Sequence, residues 1–358
     1  MIRIDEIYYN TFVSYLQGRT QTSVHWFDPF GSVRFEDLKN SAQINNKQGD
    51  AQRYLFWDQE PMHPDLFNQF AQQFMDIYDG HTHLITSERN SAYVDWAVDT
   101  YGFVPHYYFF HGWAALDWYR GYDKSFLISP PWTRTITRTF IAPNRIVAGA
   151  REHRLIMMYH LVKNNLLDNH ISFPQVCPAE GTDIMTAILP LKARYPDIEA
   201  QYRSTLFPLQ FDGEAAAPNH SYCLDLIKQS TESLLYLVTE TVAHGQRQHL
   251  TEKTFKPICL GMPFVIVGTQ GSLEYLRSYG FRTFGDLWDE SYDTIADTDL
   301  RIAAIADLLK QLDSLPLAER QQLHAQAQEI VVHNYLHFYE GNFERVLWSE
   351  LTAMINEF

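Results

Sequence analysis

A chain of 358 residues that is 46% hydrophobic and 20% charged can bury a sizeable core and is unlike a disordered segment. A formal net charge of −15 argues against affinity built on a broad phosphate-binding face, though not against a local basic groove. Three scattered cysteines, Cys177, Cys223 and Cys259, suggest neither a disulfide framework nor a cysteine metal cluster, and fit a reducing interior.

The opening MIRIDEIYYN lacks the basic-then-apolar pattern of a signal peptide, and no apolar run approaches the ~18 residues that span a bilayer. The expectation is a soluble cytoplasmic protein with no membrane span. At roughly 100–200 residues per domain, the length suggests two domains.

Taken in order, the first half alternates strand and helix signals. Ser23–Phe27 reads as a strand closed by Asp28-Pro29-Phe30-Gly31, and residues 36–49 as polar surface. Arg53–Trp57 is a strong strand running into Asp58-Gln59-Glu60-Pro61, followed by helical spacing at Leu66, Phe67, Phe70 and Phe74. Strand His83–Thr86, helix Ala92–Tyr101 closed by Gly102, and strand Val104–Phe110 come next. Thr139–Ala142 reads as the last strand of this first domain. A helix over Glu152–Asn164 then opens the second.

The rhythm resumes with strand Ile171–Phe173, helix Asp183–Ala193 and an extended link at Ser204–Leu209. Strand Leu234–Val238 ends at Glu240. A polar loop leads to a short helix opened by Thr251-Glu252-Lys253-Thr254 and closed at Gly261, and strand Phe264–Val267 follows. Helix Leu273–Ser278, a short strand Phe281–Phe284, and helices Leu300–Leu312, Ala318–Tyr335 and Phe343–Ile355 complete the chain. The fold class expected is α/β, with two Rossmann-like domains facing a cleft. The divisions are 1–147, 148–338, and a terminal helix over 339–358 crossing back to the first domain.

In open α/β sheets, ligands bind where strands end and helices begin. A carboxylate such as Glu252 offers two acceptor oxygens to ribose hydroxyls. Lys253 would set an ammonium on a diphosphate, helped by the positive helix start, and Lys256 three residues on would add charge. The same residues also read as a capped helix start, with Thr251 as N-cap. Arg151 and Arg154 share a helix face near its N-terminus, and either is able to hold pyrophosphate. Asp297-Thr298-Asp299 reads as a helix cap rather than a metal site. His81-Thr82-His83 has no third ligand in register. No dinucleotide, P-loop or nucleophile-elbow motif is present. The aromatic run Tyr107–Trp118 reads as core or as an acceptor-stacking surface.

LYLVTETV followed by HLTEKTFKPICLGMPFVIVG resembles the signature of GT-B fucosyltransferases of the α1,3 type, over about 35 residues. In that family a strand ends in Glu-Asn-Ser and is followed by Thr-Glu-Lys, a helix, Gly, Pro and a strand ending in Gly. Glu240, Glu252, Lys253, Gly261, Pro263 and Gly268 match, while Thr241 replaces the Asn. The later run SLEYLRSYGFRTFGDLWDESYD is similar to phage and bacterial proteins labelled as glycosyltransferases.

The resemblance implies sugar transfer from a nucleotide-sugar donor to an acceptor hydroxyl, inverting, with no metal and no separate cofactor. It implies that Glu240 contacts ribose or sugar, that Arg151 or Arg154 binds the diphosphate, and that Glu60, with Asp58 as competitor, is the general base. The acceptor is a glycan, a lipid-linked saccharide, or a modified base in phage DNA. The last would place the protein in the host cytoplasm and use a track of Arg134, Arg138 and Arg145. A non-catalytic nucleotide- or carbohydrate-binding protein of the same fold is the rival. Oligomeric state is not readable.

Overall fold

The computed structural model describes residues 23–26, 53–65, 67–68, 82–121, 134–211, 224 and 226–357. The chain divides into two compact units. Unit 1 holds Met1–Ser125, Arg247–His249 and Phe343–Phe358, and unit 2 holds Phe126–Gln246 and Leu250–Asn342. Among the described residues no helix is long and apolar enough to cross a membrane.

Unit 1 carries a parallel sheet in the order β1 (Ser23–Trp26), β2 (Arg53–Trp57), β3 (Thr82–Thr86), β4 (Val104–Tyr107). Register runs Trp26 beside Phe56, Phe56 beside Ile85, and Ile85 beside His106. Helix α1 (Ala92–Tyr101) starts where Ser91 accepts from Val94 N–H and stops at Gly102, whose φ of 69° is the left-handed conformation glycine tolerates. Its inner face joins Leu55, Trp57, Met62, Phe67, Leu84 and Phe103 in one apolar cluster. Of the helix expected from Leu66, Phe67, Phe70 and Phe74, residues 64–65 and 67–68 are helical; the rest lies outside the described residues, as do the turn at 28–31, the segment 36–49 and His81.

Helix α2 is Phe110–Arg120, so the run read as strand to Phe110 leaves the sheet after Tyr107 and turns helical at Phe110. Most of that helix is buried. Its aromatic rings are therefore core, and an acceptor-stacking surface there is not supported.

Unit 2 contains β5 (Arg138–Pro143), α3 (Glu152–Lys163), β6 (His170–Ser172), α4 (Ile184–Ala187), α5 (Ile198–Arg203), α6 (Ile227–Glu232), β7 (Ser233–Thr239), α7 (Glu252–Cys259), β8 (Phe264–Val267), α8 (Ser272–Ser278), α9 (Thr298–Ser314) and α10 (Leu317–Tyr339). The final helix, α11 (Asn342–Asn356), belongs from Phe343 onward to unit 1. The unit 2 sheet is parallel in the order β6-β5-β7-β8.

Other expectations change as well. The strand at Thr139–Ala142 pairs with β6 and β7 in unit 2 rather than closing the first sheet, and the chain divides at Ser125/Phe126 rather than at 147. Pro190 falls within the helix expected over Asp183–Ala193, which breaks into α4 and a 3₁₀ turn at Leu189–Ala193. Phe281–Phe284 forms no strand; Phe281 and Phe284 are buried as packing side chains.

Candidate functional site

The order β6-β5-β7-β8 fixes where a pocket belongs in unit 2. The β5-to-β6 crossover runs one way along the sheet and the β7-to-β8 crossover runs the other. Right-handed crossovers in opposite directions place α3 and α7 on opposite faces. The carboxyl ends of β5 and β7 therefore flank a topological switch point, the crevice where open α/β sheets take their ligands. Asn144 follows β5 and Glu240 follows β7. Thr239 Oγ1 donates to Asn144 Oδ1 at 2.8 Å, and Asn144 N–H donates to Ser172 O of β6 at 2.8 Å.

The start of α7 is built onto the end of β7. Thr251 is its N-cap, accepting from Lys253 N–H. Glu240 has no exposed surface. Its Oε1 accepts from Thr251 N–H at 3.1 Å and Thr254 Oγ1 at 2.5 Å, and its Oε2 from Thr251 Oγ1 at 2.6 Å and Thr241 N–H at 3.2 Å. A carboxylate accommodates about four such donors. Glu240 is therefore saturated within the protein, and the expectation that it touches ribose or sugar is corrected: it fastens the helix start that carries its neighbours.

Those neighbours are Glu252, 6% exposed, and Lys253, whose side chain is 29% exposed. Lys253 Nζ lies 2.8 Å from Glu252 Oε1 and 3.2 Å from both Thr241 Oγ1 and Thr251 Oγ1. Thr241, where the resembled signature has Asn, thus holds the lysine. Lys256 is as deeply set as Glu252, so of the two lysines only Lys253 is part-exposed.

Arg151 and Arg154 separate clearly. Arg154 Nη1 donates to Ile146 O at 2.7 Å, and its Nη2 to Thr239 O at 2.9 Å and Glu240 O at 3.0 Å. Burial and the adjoining Arg151 pull its pKa down to about 10, so it stays charged at neutral pH. Arg154 is a clamp between the loop after β5 and the end of β7, which corrects its candidacy as a ligand arginine. Arg151 is half-buried at the start of α3, where no side chain caps the helix. Just before it, Gly149 has φ +61°, and a Cβ there would stand 3.3 Å from Glu180 Oε1. The Cys177 thiol donates to Glu180 Oε2 at 2.5 Å and accepts from Val147 N–H at 3.4 Å.

Two residues at this place carried no sequence signal of their own. His153 is fully buried, and its Nε2 donates to Glu240 O at 2.9 Å while Nδ1 has no partner. Thr254 completes the Glu240 shell, and only the fold reveals it.

In unit 1, Asp58 is 2% exposed and accepts from Tyr108 OH, while Ser87 Oγ donates to its carbonyl. Glu60 is half-buried on the same loop. A third acid went unremarked in the sequence. Glu88 is buried and accepts from Met62 N–H, Ser91 Oγ and Arg247, and burial raises its pKa against the opposing pull of Arg247.

The arginine track expected for DNA does not form. Arg134 is buried and donates to Ser230 O and Leu260 O. Arg138 opens β5 and pairs with Asp168, whereas Arg145 lies beyond the other end of that strand, roughly 20 Å away at strand rise. Asp297 caps α9 by accepting from Leu300 N–H at 2.9 Å, and Asp299 pairs with Arg194. Among the described residues no group of three His, Cys, Asp or Glu stands together as a metal set. Comparison with family models, with curated proteins and with solved structures finds no match to this chain.

Proposed function

We propose that this protein is a glycosyltransferase and that unit 2 binds its nucleotide-sugar donor at the β5/β7 switch point. The observation that carries the reading is the saturated Glu240 carboxylate. It ties the end of β7 to Thr251 and Thr254, so that Glu252 and Lys253 are set on a fixed helix start beside the crevice. In this reading Glu252 accepts from the ribose hydroxyls, and Lys253 exchanges its contact with Glu252 for the diphosphate. The acceptor oxygen attacks the anomeric carbon, the bond to the diphosphate breaks with its electron pair, and the hydroxyl proton passes to a carboxylate. Inversion follows from a single displacement. Glu60 is the proposed base, since Asp58 is buried and engaged by Tyr108. Positive side chains neutralise the leaving diphosphate, and no divalent ion is required.

A thermal-shift screen over GDP-, UDP- and ADP-sugars tests the donor. Stabilisation by one of them, weakened about tenfold or more in Glu252→Ala and in Lys253→Ala, is the expected result for lost charged hydrogen bonds. Absence of any shift in the wild type would remove the donor reading. Binding with no transfer or hydrolysis would favour a non-catalytic binding protein. Activity that survives excess EDTA is expected, and strict dependence on added Mn²⁺ or Mg²⁺ would count against the metal-free mechanism.

A further inference from the structure

Arginine guanidinium groups in unit 2 are, with one exception among the described residues, engaged. Arg134, Arg154 and Arg301 donate to main-chain carbonyls. Arg194, Arg203, Arg277 and Arg282 pair with carboxylates. Arg138 pairs with Asp168, Arg320 donates to Thr139, and Arg151 is also engaged. Arg145 makes no hydrogen bond or ion pair, and its Nε is buried without a partner. Arg154 and Arg320 share that unpartnered Nε, but their amino groups are engaged, whereas the half-buried Arg145 keeps its whole guanidinium available to an anionic ligand.

The placement of Arg145 adds a second, independent argument. Asn144 before it is fixed to β6 through Ser172 O and to β7 through Thr239 Oγ1. Ile146 after it is fixed by Arg154 Nη1, whose other amino group holds the last carbonyls of β7. The backbone of Arg145 is thus stapled on both sides, across the crevice between the two strand ends. A planar guanidinium carried on that fixed backbone suits bidentate recognition of phosphate oxygens.

We infer that Arg145 is the diphosphate-binding arginine of this site, ahead of Arg151 and in place of Arg154; the inference rests on the donor reading above. The side chain that makes the contact lies on the loop after β5 rather than on helix α3. Glu252 and Lys253 stand on the helix start tied to the end of β7, so the ligand would be gripped from both strand ends.

The test is isothermal titration of wild type, Arg145→Gln and Arg145→Lys with UDP, GDP, CDP and ADP. The matching nucleosides are read by competition against the diphosphate that binds. Because Arg145 has no partner inside the protein, Arg145→Gln should keep the wild-type melting temperature. It should weaken the diphosphate about tenfold to a hundredfold, as expected for a charged hydrogen-bond pair, and leave the nucleoside within about twofold. Arg145→Lys should fall between the two. Arg138→Gln, at the opposite end of β5, should match wild type throughout. Wild-type binding with an unaltered Arg145→Gln titration would overturn the role of Arg145 and leave the donor site standing. Equal weakening of diphosphate and nucleoside would also overturn it, since that marks a disturbed fold. If wild type binds none of the four diphosphates, the donor reading itself falls, and this inference with it.

Discussion

His153 has no exposed surface, and its Nε2 hydrogen is spent on the carbonyl of Glu240. Burial first, then the charge of Arg154, hold its pKa well below 6.5. The folded protein therefore keeps this ring neutral while the unfolded chain takes up a proton near pH 6.5. The stability it contributes is complete above pH 6.5 and is lost as the pH falls, at about 1.4 kcal/mol per pH unit for one proton. His106, His160 and His244 shift in the same direction and steepen the wild-type slope, while the raised carboxyls of Glu88, Glu290 and Asp293 oppose it, so the slope is compared between variants. His153→Gln should flatten the decline in unfolding free energy between pH 6.5 and 5 by one proton's worth, read from urea melts at several pH values. An unchanged slope would show that His153 titrates normally. At this scale the fates of polar side chains are not legible in a sequence. Arg145, Arg151 and Arg154 lie within ten residues and look alike as charges. One is held by three carbonyls, one sits at a helix start, and one has no partner, and only the fold tells them apart.

Among the elements, helix α2 shows how packing overrides propensity. Glycine in a helix interior costs ~1 kcal/mol against alanine, so replacing an exposed one stabilises. Gly112 behaves otherwise, because a Cβ there would stand 2.9 Å from Phe343 Cζ and 3.1 Å from Leu347 Cδ2 of α11. Gly112→Ala should destabilise by about 1–3 kcal/mol, the usual cost of overpacking, as measured by chemical denaturation. A gain in stability would mean that the two helices part easily. Elements were the most legible level of the sequence. β7, the Thr251 cap, α7 and β8 all stand where apolar runs, a capping residue and Gly261 place them. Sheet membership was not legible. The apolar pattern of β5 marks a strand but carries nothing about its partners, which lie far along the chain in β6 and β7. The aromatic run after β4 hid a helix because rings fit a buried strand or a buried helix equally well.

For the whole molecule, the division into units does not follow the order of the chain. Unit 1 gathers three segments, and its last is the terminal helix. Trp348 packs edge-on to Trp113, Glu344 pairs with the buried Arg120, and Glu350 accepts from Phe109 N–H and Arg89. A chain ending at Gly341 would leave Arg120 buried without its carboxylate, a loss of about 3–5 kcal/mol in comparable cases, and would uncover α2. Limited proteolysis of that truncation should cut unit 1 readily and spare unit 2. Equal resistance of both units would show that α11 is dispensable.

The same arrangement bears on how the protein is made. Every segment of unit 2 precedes residue 343, so unit 2 can close while unit 1 still lacks its last helix. Domains usually fold in the order in which they emerge during synthesis, and here that order is reversed. At roughly 5–20 residues per second, unit 1 waits on the order of 10–50 s between the emergence of residue 125 and the arrival of α11. Through that interval the apolar face of α2, with Phe109 and Trp113, is exposed on the nascent chain, where chaperones would find it.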